Sequence, residues 1–192
     1  IRVSVDPHAP YTVDPEYMKE LHALAEDMQE KYGERQVIVH THLAETEREF
    51  GLVKEKYGEH PAVKESSSVV EYLEKLGVLS EKVVAAHCVW VDERDVQILA
   101  GKRVKVVHNP VSNLKLGSGI SPLRKLLKAG VTVALGTDGA CSNNTLDMLE
   151  TAKFASLLAK GISRDPTSLP ATKVGRMLTV EGAKALMWDD EI

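Results

Sequence analysis

Short apolar runs rich in valine alternate along this chain with longer amphipathic stretches. Runs at residues 2–5, 37–39, 82–86, 103–107 and 131–135 have the length and β-branched character of strands covered on both faces. The stretches between them carry helix signals. Asp14 is placed to cap the first helix, with Pro15 at its first position and Glu16 in its first turn. Tyr17 stands where a full capping box needs Glu or Gln. Met18, Leu21, Leu24, Ala25 and Met28 form the predicted buried stripe, and Gly33 the stop. Ser121-Pro122 opens a second helix with Leu123, Leu126 and Leu127 inward and Gly130 after its end. Residues 92–100 and 146–160 repeat the theme. Strand, helix, strand, helix at this spacing predicts an α/β fold with a parallel sheet.

One segment departs from that rhythm. Residues 45–80 exceed what a single crossover needs and hold helical patterns at 49–57 and around Val69, Val70, Leu73 and Leu76. The segment reads equally as a lid beside a pocket or as a plain two-helix crossover. After Asp165-Pro166 the pattern is helical through residues 179–187, ending in Asp189-Asp190-Glu191.

Composition narrows the classes of function. With 24 Lys+Arg against 28 Asp+Glu, the net charge is −4, and no basic run suggests nucleic acid or a membrane surface. The longest apolar stretches are strand-sized, too short to span a bilayer. Cys88 and Cys141 form no CxxC pair, which argues against a disulfide framework and makes the cytoplasm the default location. Ile1-Arg2-Val3-Ser4-Val5 shows no signal-peptide organisation and reads as the middle of a domain.

The polar residues carry the functional signal by where they fall. The predicted strands lead, in order, to His8, to His40 and His42, to His87, to His108-Asn109 and to Thr137-Asp138. Five of the seven histidines fall at these ends, which chance placement would not produce. In a barrel of parallel strands those ends share one face, the face where such folds build their sites. Singly, each residue is ordinary: Asp138 could be a turn former, Glu45 a helix-start carboxylate, Cys88 a packed thiol. His40 and His42, two apart, project to the same side of a strand.

His40-Thr41-His42-Leu43-Ala44-Glu45, Ala86-His87-Cys88, His108-Asn109-Pro110-Val111-Ser112-Asn113 and Gly136-Thr137-Asp138 resemble the amidohydrolase superfamily. Asp6-Pro7-His8-Ala9-Pro10-Tyr11-Thr12 and the run Asn113–Gly119 resemble its methylthioadenosine/S-adenosylhomocysteine deaminase branch and the related chlorohydrolases. The resemblance implies a partial (β/α)₈ TIM-type barrel, roughly strands four to eight with their helices. It implies a metal-dependent aminohydrolase acting on a purine-type ring such as adenosine, methylthioadenosine or S-adenosylhomocysteine. His42 and Asp138 would be ligands of one divalent metal: zinc, with iron or manganese tolerated. Glu45 would carry protons to the ring nitrogen and leaving group, and His87 would orient the attacking water or polarise the intermediate. Asp138 would accept the proton of that water. His8, Glu45 and Asn113 would bind the nucleoside-like substrate, while His40 would support the strand end. The alternatives are hydrolysis of a triazine halide, guanine or cytosine substrate, or an inactive binding and assembly module. Glu45 favours deamination, since departing ammonia needs a proton more than a halide does.

The family pattern also has a His-x-His on its first barrel strand and a small β-domain, neither of which this sequence supplies. Residues 1–192 are therefore expected to form a truncated barrel domain whose open sheet edges favour a homo-oligomer. Purified as it stands, the 192-residue chain is expected to release little or no ammonia from adenosine-type substrates. Robust turnover in a coupled ammonia assay would overturn that expectation.

Overall fold

The computed structural model describes residues 3–32 and 37–190. Arg2, Gly33 and Glu191, each used in the sequence reading, lie outside them. Five parallel strands form one sheet in the order β1-β2-β3-β4-β5: Ser4–Val5, Ile38–Leu43, Val83–His87, Lys105–His108 and Val133–Leu135. The predicted α/β architecture holds, as the strands and helices of a partial barrel. Register pairs Leu43 with His87 and His108 with Leu135, so the strands end nearly level along one edge.

The helix signals mostly act as read. In α1 (Pro15–Tyr32), Asp14 Oδ1 accepts the amides of Glu16 at 2.9 Å and Tyr17 at 3.4 Å. Met18 and Ala25 are buried, but Leu24 is 46% exposed and does not join the stripe. At 3.6 residues per turn Leu24 lies about 120° around the helix from Met18, beyond the apolar face. Asp92 caps α5 (Glu93–Gly101) in a reciprocal bond with Asp95, and Asp147 caps α9 (Met148–Ser163). Ser121 does not cap α7 (Leu123–Lys128); its hydroxyl donates to the Cys88 carbonyl at 2.9 Å.

Residues 45–80 fold as α2 (Glu49–Tyr57), α3 (Pro61–Lys64) and α4 (Val69–Leu76). Val53, Val63, Val70, Tyr72 and Leu73 from this segment are fully buried in the main core. That packing makes it an integral crossover rather than a lid hinged over the site. Of the remaining helices, α6 (Pro110–Lys115) and α8 (Ala140–Asn143) follow β4 and β5 at the functional edge. Two more, α10 (Ala171–Leu178) and α11 (Val180–Ala185), pack on β5. Among the described residues no helix is long and apolar enough to cross a membrane.

Alternation along the strands decides which histidines reach the site. In β2, Val39, Thr41 and Leu43 are buried against the helices, while Ile38, His40 and His42 share the half-buried face. In β4 the parity places His108 with buried Val106, on the helix side. His108 there lines a cavity of about 220 Å³ with Ile120, Pro122, Leu123, Ala155 and Leu158. So this strand-end histidine, unlike the others, faces away from the site.

Burial pushes His108 from 6.5 down to about 4, helped by the neighbouring charge of His87. Between those values the unfolded chain binds the proton and the folded chain does not. The stability His108 contributes is therefore full above pH 6.5 and is lost as pH falls towards 4. The stability difference between the native chain and His108→Gln should shrink by about 3 kcal/mol across that window, read from urea midpoints. His22, also lowered to about 4 by burial, is present in both chains and cancels.

Candidate active site

Four strand ends deliver the site, and each side chain is aimed by a partner behind it. The His42 ring Nδ1 lies 2.6 Å from the His8 carbonyl, which also accepts the His42 amide at 3.0 Å. A carbonyl only accepts, so Nδ1 carries the proton and Nε2 presents a lone pair. The exposed His8 ring sits 4.9 Å from His42, centroid to centroid. Its Nδ1 donates to Thr12 Oγ1 at 2.8 Å, because the Thr12 hydroxyl hydrogen goes to the Ala9 carbonyl. Both rings thus share one tautomer.

His87 ends β3 in the left-handed region (φ 75°) and is 1% exposed. Its ring stacks on His42 at 5.5 Å and 18°. The Nδ1–H donates to Asn113 Oδ1 at 2.8 Å, leaving Nε2 towards the site, 3.9 Å from Glu45 Oε2. The other Glu45 oxygen, Oε1, accepts the Ser118 hydroxyl at 3.2 Å. Ser118 is itself placed by Trp90 Nε1, which donates to its carbonyl at 2.6 Å.

Asp138 follows β5, also at positive φ (63°). Its Oδ2 accepts the Ser112 hydroxyl at 2.6 Å and its Oδ1 the Gly139 amide at 2.8 Å. Burial alone would raise this carboxyl. The two hydrogen bonds and the His87 and His42 rings outweigh it, and hold Asp138 below the usual aspartate range. Gly136, just before it, leaves no room for a side chain. An added Cβ would stand 2.5 Å from Asn109 Oδ1 and 2.6 Å from Val107 Cγ1.

One donor atom each from His42, His87 and Asp138 lie within 4.8 Å of one another, and these three could hold a metal ion. The donor chemistry fits one: two imidazoles and an ionised carboxylate, each with its other polar atom tied to an outer partner. Such backing by a carbonyl or carboxamide is what orients metal-bound histidines in general. His40 stands apart, with Nδ1 3.7 Å from Asp6 Oδ1.

The sequence reading named His8, His42, Glu45, His87, Asn113 and Asp138, and the structure gathers all six at this edge. Asn113 is as buried as His87, at 1% exposed, and is bonded to it, with its Nδ2 buried and unpartnered among the described residues. Ser112, Ser118, Trp90 and Glu49 were missed. Ser112 and Ser118 sit inside motifs already quoted, yet nothing marks a serine as a carboxylate's partner before the loops are folded. Glu49, three beyond Thr46, carries the mark of a helix capping box, which hides what it does. Its Oε1 accepts the Ala44 amide at 3.0 Å and its Oε2 the Glu45 amide at 2.8 Å. Burial pushes Glu49 up to about 7 against the pull of those two amides.

The sequence profile of the amidohydrolase family matches residues 1–192. The chain belongs to that family. The chain is 48% identical over 186 residues to the 5'-deoxyadenosine deaminase of Methanothermobacter thermautotrophicus, covering 97% of this chain and 40% of that protein. It is 44% identical over 192 residues to a 5-methylthioadenosine/S-adenosylhomocysteine deaminase of Caldanaerobacter subterraneus subsp. tengcongensis, covering 100% and 41%. The crystal structure of an adenosine deaminase from Xanthomonas campestris with bound zinc superposes with a TM-score of 0.83 at 36% identity, over 96% of this chain and 39% of that one. The chain thus spans about 40% of the length of the curated relatives it matches.

Replacing Asn113 by leucine removes the acceptor for the buried His87 Nδ1–H. The expected cost is about 1–3 kcal/mol of folding stability. An unchanged urea midpoint would show that His87 finds another partner.

Proposed function

We propose that this chain forms the proton-handling and metal-facing side of an aminohydrolase site that deaminates a purine-type nucleoside. The observation that supports this most is the cluster of His42, His87 and Asp138 with Glu45 beside it, 3.9 Å from His87 Nε2. Two relatives named for deamination of 5'-deoxyadenosine and of methylthioadenosine or S-adenosylhomocysteine point to the substrate class.

In this reading His42 and Asp138 hold one divalent metal. Zinc is favoured by the mixed imidazole and carboxylate donors, and iron or manganese is compatible with them. When bound, the metal supplies a water acidic enough to ionise near neutral pH. Asp138, kept ionised by Ser112 and Gly139, takes up the water's proton. His87, fixed by Asn113, directs its Nε2 at the attacking oxygen and sets the face of attack. Glu45 protonates the ring nitrogen as oxygen adds to the amino-bearing carbon. It then takes the proton of the newly added hydroxyl and passes it to the amine, which leaves as ammonia as the ring carbonyl forms, and the proton held by Asp138 returns to Glu45. His8, the most exposed of the group, meets the sugar. Asn113 acts through His87. A second copy of the chain pairs along β1 or β5, each of which has one strand neighbour among the described residues.

The test is ammonia release by the longest form of the protein its gene encodes, with zinc, on adenosine, 5'-deoxyadenosine, methylthioadenosine and S-adenosylhomocysteine. Guanine, cytosine and a chlorotriazine serve as competitors. Turnover confined to the adenosine group, falling about 10²–10⁴-fold in Glu45→Gln, is the expected result. Preference for a competitor, or full activity in Glu45→Gln, would refute the reading.

A further inference from the structure

The geometry points to Glu49 as a positioning residue for Glu45: by clamping the Ala44 and Glu45 amides, its carboxylate fixes the direction in which Glu45 enters the site. This rests on the proposed role of Glu45 as the proton carrier.

The connection after β2 is where that control is needed. Ala44 adopts φ 51°, in the left-handed region that an alanine seldom visits. The turn swings the chain away from the sheet, so that Glu45 leaves at a different angle from the strand residues before it. Such a turn persists only when its surroundings over-determine it. Here the Ala44 peptide is gripped from both sides. Its N–H goes to Glu49 Oε1, and its carbonyl accepts the amides of Val89 and Trp90, both at 2.9 Å. The next amide, that of Glu45, goes to Glu49 Oε2. The far end of Glu45 is held separately, through Ser118 and Trp90. Backbone and carboxylate of the same residue are therefore fixed by two different devices.

An ordinary capping glutamate is a poor account of this. At a capping box, Glu49 would return to the amide of Thr46, three residues earlier. Its two oxygens go instead to Ala44 and Glu45, and the side chain is 1% exposed, where an unpaired carboxylate would be costly. Two adjacent N–H donors need two acceptors. A glutamine offers one oxygen and turns an NH₂ against the second amide. The position therefore requires a carboxylate, and among the described residues its hydrogen bonds go to the turn that carries Glu45.

The test combines spectroscopy with a double-mutant cycle. In ¹⁵N-labelled 192-residue chain, Glu49→Gln should shift the amide proton resonances of Ala44 and Glu45 while those of α9 stay put. In the longest zinc-loaded form of the protein, Glu49→Gln should lower kcat about 10²-fold, as a displaced reacting group does, with KM changed little. Adding Glu49→Gln to Glu45→Gln should cost nothing further, because Glu49 acts only through Glu45. Additive losses, or a normal kcat in Glu49→Gln, would overturn the inference. Should Glu49→Gln fail to fold, Glu49→Asp takes its place in the same cycle. Collapse of both variants would assign Glu49 to folding alone and equally overturn it. Full activity in Glu45→Gln is a separate failure, of the reading of Glu45 itself.

Discussion

Parallel pairing is the constraint on which everything else here depends. Strands that run the same way must finish at the same edge of the sheet. The pairing of Leu43 with His87 and of His108 with Leu135 fixes how level those finishes are. A slip of one residue between β2 and β3 would separate His42 from His87 and send alternate side chains to the other face. The stacked rings, 5.5 Å apart, are thus a product of register before they are a product of any attraction between them. Valine on the helix-facing side holds that register, because Val39 and Val83 in partnered positions are both buried.

Strain gathers where the register hands over to chemistry. Ala44, His87, Cys88 and Asp138 all have positive φ without being glycine. Each costs about 1–2 kcal/mol of backbone energy. Compensation is local and hydrogen-bonded: Cys88 N–H to Leu43 O, the Ala44 amide to Glu49, the Gly139 amide to Asp138 Oδ1. Bent strand ends aim side chains across the edge of the sheet, where straight ones would point them along it.

Much of this was legible in the chain itself. Valine-rich runs marked all five strands because parallel strands are apolar on both faces, and Asp14, Pro15 and Asp92 announced their helices through local chemistry that needs no tertiary context. His42, His87 and Asp138 stood out because strand ends in such a fold share a face, and Glu45 stood out through the family resemblance. What escaped the sequence depends on distances between loops. Leu24 looked buried because apolar spacing does not say how wide the covered face is. His108 looked functional because its strand parity was unknown until β4 was placed. Ser112 and Ser118 are ordinary until a carboxylate stands near each of them. Glu49 was hidden by a better-known role for a glutamate at that spacing, and the bond from His87 to Asn113 Oδ1 could not be read before the two loops met.

The Leu43 and Ala44 carbonyls are captured by the amides of Cys88, Val89 and Trp90, which joins the loop bearing Glu45 to the one following His87. These two loops are separate in sequence but form one mechanical body. A change that shortens or re-angles one is transmitted to the other through these backbone bonds. Residues 43–45 and 87–90 therefore move as a pair, and a displacement at either loop reaches the side chains of both Glu45 and His87.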